Sequence, residues 1–254
     1  TNKIKELWNS FKKWAIAKIK DIRTKIGNLL KRNNKIKDTN KEEDNTNKDT
    51  NKEKDIKFTL YCLNIPDEYK NYLENGNFAK NITVYASSNN ILKVGEALDK
   101  YYSKDGNFDA NEYSNEIDSI ISDTNEELEK AKSAFKSINI EKKDMMADKN
   151  NLKNVLSKEY NAEKMWIDIL TDLSKSTHES IIELEKNLDS TIQKFEDVKN
   201  NPDMSIMVRV YAADSRILSN DIKNMKQIIE FICETTTKID KAIKFNNDIF
   251  DKYF

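Results

Sequence analysis

The 254-residue chain is 34% charged and 37% hydrophobic with four Gly and two Pro, which disfavours a turn-rich β fold and favours long helices with few connections. Net charge is −1, yet residues 1–33 hold ten Lys or Arg against Glu6 and Asp21 alone, so this segment carries about +8 and the remainder about −9. A basic arm on an acidic body points to an anionic surface or an acidic partner for the arm, and the body's negative charge argues against nucleic acid.

Residues 3–32 read as a helix with Ile4, Leu7, Trp8, Phe11, Trp14, Ile19, Ile22, Ile26 and Leu29 on one side. Lys5, Lys12, Lys13, Lys18, Lys20, Arg23 and Lys25 fall on the other. Two readings stay open. As an interfacial helix, Trp8, Phe11 and Trp14 insert into a membrane or meet a partner while Lys12, Lys13, Lys20 and Arg23 contact anionic groups. Alternatively, the stripe packs on the body and the lysines are simply solvated. Residues 33–57 are low-complexity, with Thr39-Asn40-Lys41, Thr46-Asn47-Lys48 and Thr50-Asn51-Lys52 recurring between balanced charges. So little apolar surface cannot offset the entropy of ordering, which predicts a flexible tether and a first helix acting apart from the body.

The body is expected over residues 58–254. Phe58 to Ile65 is apolar and meets Pro66, a first-turn residue for a short helix ending near Asn75-Gly76. Ile82 to Ala86 is brief and suits an extended segment. Asn90 to Tyr102 is helical by period, and a longer helix starts near Phe108. Periodicity weakens across Glu141 to Asn151, which predicts a bend or loop. The strongest pattern runs from Tyr160 to Val198, where Trp166, Ile169, Leu170, Leu173, Thr177, Ile181, Leu184 and Leu188 recur at steps of three and four. About forty residues at 1.5 Å each make a rod of roughly 60 Å that needs partner helices along its length. Asn200-Asn201-Pro202 ends it, and a last helix spans about Asp203 to Tyr253, with Asp214-Ser215 as a kink or a fresh N-cap. The expected class is all-α: an elongated antiparallel four- or five-helix bundle, preceded by a separate basic amphipathic helix (residues 1–32) and a disordered tether.

Ser103 to Glu112 resembles the calcium loop of an EF-hand. With Gly106 at loop position six, oxygen-bearing side chains fall at three (Ser103), five (Asp105), nine (Asp109) and twelve (Glu112), whereas Tyr101 stands where the family has Asp. A metal site at Ser103, Asp105, Asp109 and Glu112 competes with a plain interhelix turn, in which Gly106 ends one helix and Asp109 with Glu112 caps the next. Catalysis finds little support. His178 is the one histidine, and zinc-ligand spacing, a Gly-rich phosphate loop and a Ser/His/Asp set are all missing from the sequence. No enzyme and no cofactor are expected. Cys62 and Cys233 sit among apolar neighbours, as two buried thiols or as one bridge. The sequence holds no apolar run long enough to span a bilayer and no signal-peptide core, and its start at Thr1 suits a processed product.

The Lys/Asn/Ile-rich composition, the Thr-Asn-Lys repeats and the helical body resemble the plasmid-encoded surface lipoproteins of borrelial spirochaetes. An exported protein of another AT-rich organism, such as a malaria parasite, shares that style. The borrelial resemblance implies a helical bundle at the cell surface, or secreted, that binds a host protein such as a complement or matrix component. The tether here follows a helix, whereas a lipoprotein stalk begins the mature chain. The expected function is therefore a non-enzymatic interaction protein with a macromolecular partner. Docking to an anionic membrane through residues 1–32 is the alternative, and a calcium-responsive helix pair is the third reading.

Overall fold

A computed structural model describes residues 2–34, 54–74, 89–102, 107–199 and 204–254. Among them are six helices and one two-stranded sheet: α1 (Asn2–Asn33), β1 (Ile56–Asn64), α2 (Asp67–Glu74), α3 (Asn89–Tyr101), α4 (Ala110–Ser137), β2 (Asn139–Ala147), α5 (Lys149–Lys199) and α6 (Met204–Tyr253). The all-α expectation holds, with the small sheet as an addition. Of the expected tether, residues 35–53 lie outside the described residues, as does the extended segment expected at Ile82 to Ala86. At the tether's edges Asn33 belongs to α1, and Ile56 and Lys57 open β1.

Helix starts follow local capping chemistry. Pro66 carbonyl oxygen accepts from the Tyr69 and Lys70 amides at 2.9 and 3.2 Å to open α2, so Pro66 immediately precedes the helix instead of standing in its first turn. Asp109 Oδ1 accepts the Glu112 N–H at 3.2 Å at the start of α4. Asp148 Oδ1 accepts the Asn151 N–H at 2.8 Å at the start of α5, which satisfies a backbone donor that the first turn leaves unpaired. That cap starts α5 eleven residues earlier than the apolar period suggests, and Leu152, Leu156 and Tyr160 continue the buried stripe upstream. The bend expected across Glu141 to Asn151 is thus a correction: β2, then Asp148, then helix. Likewise α6 runs unbroken through Asp214-Ser215, which is not a fresh N-cap.

The chain divides into two compact units. The first comprises Thr1–Lys20, Asn75–Ser133 and Leu173–Glu230. Its core draws Ile4, Trp8, Phe11 and Ala15 from α1, Val94 and Leu98 from α3, Ile117 and Leu128 from α4, Leu184 and Leu188 from α5, and Leu218 and Ile229 from α6. These positions recur at three and four, so each helix buries one stripe, at about 1.5–3 kcal/mol per fully buried large aliphatic side chain. Gly95 of α3 lies close against α5, where an added Cβ would sit 3.3 Å from Thr191 Oγ1. Thr191 Oγ1 donates to the Ile91 carbonyl at 3.2 Å, and Lys194 pairs with Asp99 in the same seam.

The second unit comprises Asp21–Glu74, Ala134–Asp172 and Phe231–Phe254. Its core holds Ile22, Ile26, Leu29, Phe58, Leu60, Leu73, Ile138, Trp166, Leu170, Ile239 and Ile243. Tyr160 donates to Asn247 and Asn246 to Glu163, so α5 and α6 run antiparallel here. Phe135 stacks on Phe231 with centroids 5.6 Å apart. β1 and β2 pair antiparallel along their full length, from Ile56 opposite Ala147 to Asn64 opposite Asn139. Phe58, Leu60 and Cys62 alternate inward from β1, whereas no residue of β2 is fully buried. Neither Cys62 nor Cys233 is in a disulfide; burial first, and then the Glu159 charge, pushes the Cys62 thiol up to about 12.

Candidate interaction surface and buried polar clusters

The spacing of the α1 stripe decides which side chains of the basic arm face outward. Ile4, Trp8, Phe11, Ala15, Ile19, Ile22, Ile26 and Leu29 step by four and three, and all are buried. Trp8 is 3% exposed and Phe11 2%, so neither is available for membrane or partner contact as the interfacial reading required. The correction has a plain cause: a stripe this continuous loses more by staying in water than by meeting other helices. Trp14 is half-buried, with Lys226 Nζ 5.6 Å from its ring. Lys12 is half-buried too. It donates to both Glu185 oxygens at 2.6 and 2.8 Å, while Trp8 Nε1 donates to Oε1 at 3.4 Å. The Lys12 hydrogen bond holds the Glu185 carboxyl below its ordinary range. Nothing in the α5 sequence marks Glu185 as the receptor for this anchor, because the pairing spans 173 residues.

What remains outward is basic. Lys3, Lys5, Lys13, Lys18, Lys20, Arg23, Lys25 and Lys31 are exposed, and Asp21 meets Lys25 at 3.2 Å. Leu7 and Ile16 are each 39% exposed on the same helix. Arg32, near the C-terminus of α1, is tied down by Asp240 of α6, which also takes Lys244 at 2.9 Å. A cleft of about 270 Å³ opens beside that pair, lined by Lys25, Asn28, Leu29, Thr236 and Thr237.

At the loop that resembles an EF-hand, Ser103 and Asp105 lie outside the described residues. Asp109 and Glu112 are described, and the contact between them is the α4 cap. The Asp109 N–H donates to the Tyr101 carbonyl at 3.1 Å, and Tyr102 bridges Phe108, so the loop's ends meet. Among the described residues no three His, Cys, Asp or Glu side chains are grouped to hold a metal ion. His178 is half-buried, its Nδ1 without a partner among the described residues.

Two polar clusters inside the core were missed by the sequence reading. In the first unit, Asp221 Oδ1 accepts from Asn90 Nδ2 at 2.7 Å, and Asn90 Oδ1 accepts from Thr124 at 3.1 Å. One heptad earlier on α6, Asp214 has both carboxyl oxygens without a partner among the described residues. Burial raises both aspartates well above the ordinary carboxylate range, with the Asn90 hydrogen bond opposing that rise at Asp221. In the second unit, Asn246 of α6 accepts from the Tyr61 N–H at 3.1 Å and donates to the Tyr61 carbonyl at 2.9 Å. Asn246 also donates to Glu163 Oε1 at 3.2 Å. Glu159 Oε1 accepts the Leu63 N–H at 2.9 Å. Burial, reinforced by the neighbouring Glu159, raises Glu163 to about 9. A signal existed in the spacing: Asp214 and Asp221 occupy stripe positions among Val210, Ile217 and Ile228, and Asn246 occupies one between Ile243 and Phe250. Spacing does not reveal that the partner of Asn246 is a strand.

Comparison of the chain with protein-family models, with curated proteins and with solved structures gives no match. No described helix is long and apolar enough to cross a membrane.

Proposed function

We propose that the protein is a non-enzymatic interaction module, displayed at a surface or secreted, whose basic α1 face meets an acidic macromolecular partner. One observation carries this reading: Ile4, Trp8, Phe11 and Ala15 of α1 are buried in the first unit, so the exposed Lys3, Lys5, Lys13 and Lys18 form a fixed face of that unit rather than a mobile arm. A fixed charged face steers association and needs little ordering on binding. The compositional resemblance to host-binding surface proteins supports a host protein as the partner. The three most strongly perturbed carboxyls, Glu163, Asp214 and Asp221, are buried within the cores, which supports a packing role over substrate chemistry. Docking to an anionic membrane is the second reading. Leu7 and Ile16, exposed beside the lysines, favour it in place of the Trp8 and Phe11 insertion first expected.

The deciding experiment compares the intact protein with a variant carrying Lys5→Glu, Lys13→Glu and Lys18→Glu. Each is offered host fluid, neutral vesicles and anionic vesicles, at low and high salt. A protein retained by the intact chain, released by salt and lost by the variant supports the proposal. Retention of the same proteins by both forms, or of none, overturns it. Flotation with anionic vesicles alone gives the second reading precedence.

A further inference from the structure

The two edges of the sheet are treated differently by the fold. The outer edge of β1 is occupied by side chains at Tyr61 and Leu63: Asn246 takes both backbone groups of Tyr61, and Glu159 takes the Leu63 N–H. In an antiparallel ladder, residues alternate between bonding their partner strand and pointing their N–H and C=O away from it. Because Tyr61 bonds outward, its opposite number Lys142 also bonds outward, and so do Ile140, Asp144 and Met146. No described residue covers that edge. Glu141, Lys142, Lys143, Asp144 and Met146 are all exposed, Met146 to 59%. A nine-residue edge left open in this way is a template for another strand.

We propose that this edge pairs with the β2 edge of a second copy, antiparallel about a two-fold axis at Lys143, to form a four-stranded sheet across a dimer. The argument for this occupant is self-complementarity. Full overlap of the two strands, Asn139 opposite Ala147, is also a register that sets outward-bonding residues against each other. In it Lys142 of each copy faces Asp144 of the other, and Ile140 faces Met146, each pair occurring twice. All four lie on the outer face, since Phe58, Leu60 and Cys62 and their opposite numbers Met145, Lys143 and Glu141 take the inner one. Shifting by one pair would set Lys142 against Lys142, or Asp144 against Asp144. The cost of the chosen register is Lys143 against Lys143. That cost is moderated by Glu141, 3.6 Å from Lys143 in its own chain and diagonal to the Lys143 of the other copy. A groove of about 560 Å³, lined by Lys57, Phe58, Thr59, Asp144, Met145 and Met146, lies where Ile140 of the second copy would arrive.

The test is sedimentation velocity of the intact protein over a dilution series, with Lys142→Glu, Asp144→Lys and the double variant alongside, and circular dichroism to confirm that each is folded. A concentration-dependent dimer is expected. Either single substitution places like charges opposite twice and weakens association about tenfold, the equivalent of about 1.4 kcal/mol over two pairs. The double variant restores it. Amide hydrogen exchange on the unmodified protein gives an independent readout, because the Lys142 and Asp144 amides gain protection as concentration rises. A monomer at every concentration, a dimer indifferent to the single substitutions, or a double variant that remains weak would each overturn the proposal.

Discussion

Glu163, Asp214 and Asp221 place carboxyl groups where a bundle ordinarily has apolar side chains, and burial forces each toward its neutral form. For Glu163 the consequence has a definite sign. The unfolded chain ionises near 4.5 while the folded chain keeps its proton to about 9, so above pH 4.5 the unfolded state binds fewer protons. Stability contributed by this group is complete below about pH 4.5 and is progressively lost as pH rises toward 9. Glu163→Gln keeps an acceptor for Asn246 without the ionisation. It is expected to stabilise the protein by about 2 kcal/mol near pH 8 and by almost nothing near pH 4. Urea unfolding at the two pH values checks this, and equal gains at both would rule out the linkage. The residue scale was also where the sequence misled most. Asp214-Ser215 has the composition of a cap, yet capping requires a helix end, and the apolar stripe on either side continues α6 past it.

At the scale of elements, the sheet depends on side chains from helices more than on its own composition. Asn246 imitates a third strand for Tyr61, and a two-stranded ribbon is marginal without such support. Asn246→Ala leaves two backbone groups and one Glu163 oxygen without their partner, an expected loss of about 2–4 kcal/mol. Hydrogen exchange should show the Tyr61 amide deprotected while the α1 amides in residues 2–20 remain protected. Faster exchange everywhere would mean that the strand is not a local unit. The start of α4 poses a second question of scale. If Asp109 acts as a cap, Asp109→Ala costs about 1 kcal/mol by thermal unfolding, and the loss is the same with calcium as with a chelator. A loss seen only with calcium would reinstate the metal reading of Ser103, Asp105, Asp109 and Glu112.

For the whole molecule, the decisive fact is that α1 contributes buried side chains to both compact units. Residues 58–254 were expected to stand alone as a bundle. With Trp8, Phe11, Ile19, Ile22, Ile26 and Leu29 removed, that fragment exposes the surfaces they cover. It is expected to lose cooperative urea unfolding and to bind a hydrophobic dye, whereas the intact chain unfolds sharply. A fragment that unfolds as cooperatively as the full chain would return α1 to the status of a separate arm.

The sequence by itself determined that the protein is built from helices, where most of them lie and which stripe each one buries. Apolar spacing of three and four, scarce Gly and Pro, and caps such as Pro66 and Asp109 are local properties, and a helix is a local structure. It also determined that one helix carries the excess positive charge. Only the tertiary structure decided that the α1 stripe is core rather than membrane contact, since an amphipathic face looks the same whatever covers it. Pairing likewise made β2 a strand: Asn139 to Ala147 has no inward alternation of its own, and its partner lies more than seventy residues away. The same holds for the ties of Lys12 to Glu185, Arg32 to Asp240 and Tyr61 to Asn246. Each joins residues more than 170 positions apart, a distance over which sequence spacing carries no information about contact.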